Sequence, residues 1–198
     1  MSDYVLSCES TVDLTPEKIQ ELGLECIFFH FYIDGVEYAD DLGQTIPFDK
    51  FYQAMKDGAE TKTAAIGTGE YEKFFRGFFE QGKDVLHVSL SSGISGTVES
   101  ARIAAESLAD EFPDRKIYII DSLAASSGYG LLMQALSEKR AEGMSLDELS
   151  EWAEAHKLHD WHWFFSTDLT FYIKGGRVKP LSGFVGSMLG ICPLLNMD

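Results

Sequence analysis

The sequence predicts an α/β protein built on an open parallel sheet flanked by helices, followed by the beginning of a second α/β domain. Three observations carry this reading. Short, almost wholly apolar runs recur at Tyr4 to Cys8, Val85 to Leu90 and Lys116 to Ile120, as expected of strands covered on both faces. Stretches at helical spacing lie between them. The runs at Val85 and Lys116 each end in a hydroxyl-rich turn that opens a helix, which is the repeat of a parallel sheet.

Taken in order, Tyr4 to Cys8 is a short buried strand, and Thr15-Pro16 supplies the cap and first position of a helix that Gly23 stops. Cys26 to Ile33 and Val36 to Tyr38 read as a hairpin around Asp34-Gly35, because Asp-Gly supplies the positive φ angles of a tight turn. This hairpin is expected to be an addition to the main sheet. Phe48 to Lys56 and Gly69 to Gln81 are helices, the second closed by Gly82, with Lys62 to Ile66 a polar connection between them that faces a ligand. Ser145-Leu146-Asp147-Glu148 is a capping box that opens a helix to about His156, and Trp161 to Phe165 returns as an apolar strand. The domain boundary is placed near Asp160, giving an N-terminal domain over 1–160 and the start of a second over 161–198.

Composition narrows the function. With 198 residues and 45% hydrophobic content the chain buries one good core. Its 16 basic and 32 acidic residues give a net charge of -16, which opposes attraction to nucleic-acid phosphates and anionic membranes. No apolar run reaches the length of a membrane span, and the start has no basic leader. The three cysteines, Cys8, Cys26 and Cys192, are widely spaced without a C-x-x-C pair, which supports neither a disulfide framework nor a zinc site and fits a cytoplasmic protein.

Ser91-Ser92-Gly93-Ile94-Ser95-Gly96-Thr97 joins a strand's carboxyl end to a helix's amino end. Such a junction presents unpaired N–H groups and the positive end of a helix dipole to an anion. The loop has no lysine and no G-x-x-x-x-G-K-[ST] spacing, so it is not an ATP-type P-loop. Glu9-Ser10-Thr11 and Asp121-Ser122, with Ser126-Ser127, end other strands and should converge on the same crevice. Asp121-Ser122 reads as scaffold or pocket wall ahead of a nucleophile with its base. His156, His159 and His162 recur every three residues, yet no further ligand flanks them, so no metal is expected; His30 and His87 lie in apolar strands as core histidines. Lys174-Gly175-Gly176-Arg177-Val178-Lys179 is a basic island whose paired glycines let an arginine fork approach a carboxylate or phosphate.

Together, Glu9 to Leu14, Lys62 to Ile66, Ser91 to Thr97, Asp121-Ser122, and Asp168-Leu169 with Lys174 to Lys179 resemble the T-D-S-T-A-D-L, K-T-S-Q-P, S-S-G-L-S-G-T and D-L-x-Y-L-x-x-G-G-R-I segments of the DegV family. These are bacterial proteins of two α/β domains that enclose a fatty acid. The resemblance implies a non-catalytic lipid-binding subunit without cofactor or metal. Thr63 and Ser95 would hold the carboxylate with the Gly96 and Thr97 backbone nearby, and Arg177 would stand at the exposed head group. The partner implied is a separate ATP-dependent kinase that makes an acyl phosphate for phospholipid synthesis. Glu9 replaces the opening Asp and Ala64-Ala65-Ile66 replaces Ser-Gln-Pro, so one polar wall differs. The family's later H-T-G-x-G-like segment has no counterpart before Asp198, which implies a second domain only begun. Two other readings fit the same residues: an acyl hydrolase or transferase using Ser95 or Ser122 as nucleophile, and a truncated scaffold that no longer binds.

Overall fold

A computed structural model of the chain describes residues 4–166, 169–176 and 194–196. The chain forms two compact units, Met1–Asp160 and Trp161–Asp198.

In the first unit, β1 (Tyr4–Glu9), β2 (Leu24–Ile27), β6 (Asp84–Ser89) and β7 (Ile117–Asp121) form a parallel sheet in the order β2-β1-β6-β7. Helix α1 (Pro16–Glu21) links the first two strands, with Thr15 Oγ1 accepting the Lys18 amide at 3.2 Å and Gly23 leaving the helix at φ +60°. The remaining helices of the unit are α2 (Phe48–Lys56), α3 (Thr68–Phe79), α4 (Thr97–Ala109), α5 (Ser126–Ala141) and α6 (Leu146–His156). Ser145 and Glu148 cap α6 reciprocally, as the sequence predicts. A smaller antiparallel sheet, β4-β3-β5, is made by β3 (His30–Ile33), β4 (Val36–Ala39) and β5 (Thr61–Ala64). The β3–β4 turn is Asp34-Gly35, at φ 49° and 82°.

The period of two along each strand divides the core between the two faces of the parallel sheet. Leu6, Cys8, Leu86, Val88 and Ile120 pack with α1, α5 and α6. Val5, Val85, Ile117 and Ile119 pack with Tyr71, Phe75 and Phe79 of α3 and Ala101, Ala104 and Leu108 of α4. Further toward the carboxyl ends, this second face changes character: Ser7, Glu9, His87 and Ser89 are all fully buried there.

Three expectations are corrected. Cys26 to Ile33 is not one hairpin strand: Leu24–Ile27 pairs with β1 in the main sheet, and the chain breaks at Phe28-Phe29 before β3. The break is fixed by the Phe29 amide donating to Ser10 Oγ (3.0 Å) and the Asp40 amide donating to the Phe29 carbonyl (2.8 Å). Likewise, Lys62 to Ile66 is not a free connection, because Thr61–Ala64 is the edge strand β5 paired with β3. His30 also differs from the expected core histidine: it is half-buried, with Nε2 2.7 Å from Glu70 and Nδ1 3.2 Å from Glu37.

In the second unit, β8 (Trp163–Phe165) pairs antiparallel with β9 (Leu194–Asn196), and α7 (Thr170–Lys174) is a short helix. No helix among the described residues is long and apolar enough to cross a membrane.

Candidate anion-binding site

The chain runs from β1 outward to β2, then crosses back to place β6 on β1's other side and continues outward to β7. The strand order therefore reverses between β1 and β6, and in such sheets the crevice beyond the carboxyl ends at that point is where ligands sit. The ladder shows the opening directly. β1–β6 register ends at Ser7 opposite His87, whereas β1–β2 pairing continues to Glu9 and β6–β7 pairing to Ser89. The Tyr129 hydroxyl bridges the gap, accepting from the Glu9 amide (3.2 Å) and donating to the Val88 carbonyl. Burial, then the nearby Glu9 side chain, pushes the Tyr129 phenol well above its ordinary value.

Below the gap lies a buried polar floor. Glu9 Oε1 accepts from the Tyr71 hydroxyl (2.5 Å) and from Ser89 Oγ (2.6 Å), and Oε2 accepts the Leu90 amide (2.7 Å). Tyr71 Oη in turn meets Thr97 Oγ1 at 2.9 Å. Burial and then Glu9 push the Tyr71 phenol far above its usual range, so it remains a donor. His87 Nδ1 lies 3.0 Å from Ser7 Oγ, and its Nε2 faces Glu9 Oε1 at 3.5 Å, beyond hydrogen-bond geometry. The sequence marks Glu9 as part of a strand-end loop and, by the resemblance, as a changed residue of a polar wall, without placing it in a buried network. Its place among alternating inward residues was the one available signal, since a carboxyl on a covered face must find donors.

Above the floor, loop 91–97 is fastened by its own hydroxyls. Ser91 Oγ accepts the Gly93 amide (3.2 Å), Ser95 Oγ accepts the Thr97 amide (3.3 Å), and Asp121 Oδ1 accepts the Ser92 amide (3.1 Å). The Ser91 amide donates to Ala124 O and the Ser122 amide to Ser89 O, each at 3.0 Å, so the strand ends named in the sequence do converge. Among the described residues, the Gly96 and Val98 amides take no acceptor. Gly96 is exposed, and a methyl group placed on it would meet nothing within 4 Å, so the space on its side-chain side is open.

The predicted site residues fare differently. Ser95 is half-buried at the loop's end and Gly96 is exposed. Thr97 is buried, its hydroxyl engaged by Tyr71 and its amide by Ser95, so Gly96 rather than Thr97 offers the open backbone donor. Thr63 is exposed on β5 opposite Phe31, and no hydrogen bond among the described residues joins it to the loop. Arg177 lies outside the described residues, as do Val178 and Lys179; Lys174 ends α7 with its ammonium over the Phe171 ring at 5.4 Å. Ser122 is fully buried, its hydroxyl bonded within its own turn to the Ala124 amide and carbonyl, a poor position for a nucleophile. His156 Nδ1 faces Trp152 O at 2.8 Å and its ring stacks on Trp152. Among the described residues no cluster of three or more His, Cys, Asp or Glu side chains is placed to hold a metal.

A strand-order reversal with a glycine-serine loop over it is shared by many sheets, and comparison with known proteins decides among them. A sequence model described as "Uncharacterised protein, DegV family" matches residues 6–198. The chain belongs to the DegV family. A DegV domain-containing protein of Clostridium perfringens is 30% identical over 198 residues, covering 100% of this chain and 68% of the relative. Among solved structures, a DegV family protein from Thermus thermophilus described by its fatty-acid binding is 29% identical, covering 98% of this chain and 68% of that one, with a TM-score of 0.82. A stearic acid-binding protein from Eubacterium ventriosum is 26% identical over 98% of this chain and 67% of that one, with a TM-score of 0.86. The DegV fold accounts for the parallel sheet and its flanking helices.

Proposed function

We propose that this DegV protein is a non-catalytic binding protein for a long-chain fatty acid. The carboxylate is seated by the Ser95 hydroxyl and the Gly96 amide, with Thr63 as a second hydroxyl. The observation that carries the reading is the open, lysine-free donor surface at Ser95 and Gly96, placed over the strand-order reversal between β1 and β6. The fatty-acid binding of the two solved relatives supports it. A carboxylate needs few donors of this kind, because at about 0.8 kcal/mol per buried methylene the tail supplies most of the affinity and the head-group bonds set orientation. In the same reading the seated acid is presented to a separate ATP-dependent kinase, with Arg177 beside the incoming phosphoryl group. The domain over 1–160 carries the carboxylate loops, and 161–198 belong to a second domain.

The test is to extract the purified protein with organic solvent, identify what is released by mass spectrometry, and titrate the delipidated protein with palmitate. A fatty acid in the extract and saturable binding at one site are expected. An extract free of fatty acid together with no palmitate binding overturns the proposal.

A further inference from the structure

The loop that offers Ser95 and Gly96 begins just after Leu90 and ends at Thr97, the first residue of α4. One buried side chain reaches both ends. Glu9 accepts the Leu90 amide directly at 2.7 Å and holds Ser89 beside it at 2.6 Å. At the other end it engages Tyr71 at 2.5 Å, and Tyr71 meets Thr97 Oγ1 at 2.9 Å. Glu9, Tyr71, Ser89 and Thr97 are all shielded from solvent, so none of these bonds competes with water. Within the loop itself, the bonds are short-range turns, apart from the Ser91 amide on the Ala124 carbonyl and the Ser92 amide on Asp121.

We propose that Glu9 is the positioning residue of the anion loop: its carboxyl ties Leu90, which leads into the loop, and through Tyr71 the loop's last residue, Thr97, to one rigid point, holding the Ser95 hydroxyl and Gly96 amide in the spacing a carboxylate requires. Glu9 touches no ligand and acts through Leu90, Tyr71 and Thr97. The ligand class rests on the function proposed above; the two-ended tie does not. It makes an asymmetric demand. Removing the Glu9 carboxyl loosens both ends of the loop, whereas removing the Tyr71 hydroxyl loosens only the α4 end.

The full chain carrying Glu9→Gln or Tyr71→Phe is to be compared with wild type by residue-resolved amide hydrogen exchange. Faster exchange is expected at Leu90 and in the first turn of α4 together for Glu9→Gln, and in the first turn of α4 alone for Tyr71→Phe. Equal effects at both ends in Tyr71→Phe, or an effect of Glu9→Gln confined to Leu90, overturn the proposal. Should Glu9→Gln not fold, the Tyr71→Phe pattern still decides. For binding, Tyr71→Phe is expected to weaken palmitate by roughly fivefold, the loss of one hydrogen bond, and to leave hexadecanol, which has the same tail and no carboxylate, unchanged. Equal weakening of both ligands shows a merely structural role and overturns it. If wild type binds neither ligand, the fatty-acid reading falls, and the exchange pattern alone decides the tie.

Discussion

The two faces of the central sheet use the same strands differently. Toward α1, α5 and α6 the inward residues are apolar from end to end, through Leu6, Cys8, Leu86, Val88 and Ile120. Toward α3 and α4 they start apolar with Val5 and Val85 and finish with Ser7, Glu9, His87 and Ser89. A dry face contributes non-directional burial, roughly in proportion to area. A buried polar face costs desolvation unless each group finds its partner, but once satisfied it fixes geometry. Both faces contribute stability, but the placement of the anion loop falls to one side of the sheet alone. The polar side lies under the gap between β1 and β6, where the loop needs a firm anchor.

The contrast is broken most severely from the dry side. Leu86 is fully buried there, so Leu86→Ala is expected to lower unfolding stability by about 3 kcal/mol in urea denaturation. Its ratio of palmitate to hexadecanol affinity should stay at the wild-type value. A changed ratio would show that the two faces are not separable.

On the polar side, Ser89→Ala removes one donor from Glu9 while Tyr71 and Leu90 remain. A loss of about 1.5 kcal/mol is expected by the same denaturation measurement, with faster amide exchange at Leu90.

Above the floor, Ser95→Ala should lower the urea midpoint only slightly, by its one bond to the Thr97 amide, and on the proposed carboxylate seat weaken palmitate about tenfold by titration calorimetry. Gly96→Ala sharpens this further. Its backbone sits at φ −79° with open space where the methyl goes, so the fold should accept it, and weaker palmitate binding would then place the carboxylate over that amide.

The smallest effect lies at the margin, in the first turn of α3, where Glu70 precedes Tyr71. Burial alone would raise the Glu70 carboxyl, but the Gly67 amide (2.9 Å) and His30 (2.7 Å) outweigh it and hold the group below its ordinary 4.5. A lowered carboxyl contributes stability that is present above the ordinary value and is lost as pH falls through the lowered one. Urea midpoints of wild type should therefore fall slightly more than those of Glu70→Gln between about pH 5 and pH 3.

Much of the dry face was legible in the sequence, and the polar face was not. Runs such as Val85 to Leu90 announce a doubly covered strand, and Thr15-Pro16, Asp34-Gly35 and Ser145 to Glu148 mark caps and turns by local chemistry. β5 carries no apolar alternation over Thr61–Ala64 and so looks like a connection in the sequence; it is a strand through its pairing with β3, a tertiary cause. No turn signal in the sequence separates β2 from β3 within Cys26 to Ile33, and the contacts that break the run come from Ser10 and Asp40. Glu9 shows the limit most clearly. The residues that satisfy it, Tyr71, Ser89 and Leu90, lie far along the chain, and no local pattern links them. The hydroxyls of loop 91–97 were visible, but several serve the loop's own turns, leaving Ser95 and the Gly96 amide as the open surface.

The central claim is that a fatty-acid carboxylate sits on Ser95 and the Gly96 amide. Palmitate labelled with carbon-13 at its carboxyl tests it most directly, by NMR of the complex. One bound carboxyl resonance with a through-space contact to the Gly96 amide proton is expected, and loss of that contact in Ser95→Ala. A bound carboxyl resonance without contact to Gly96, and unaffected by Ser95→Ala, would contradict it.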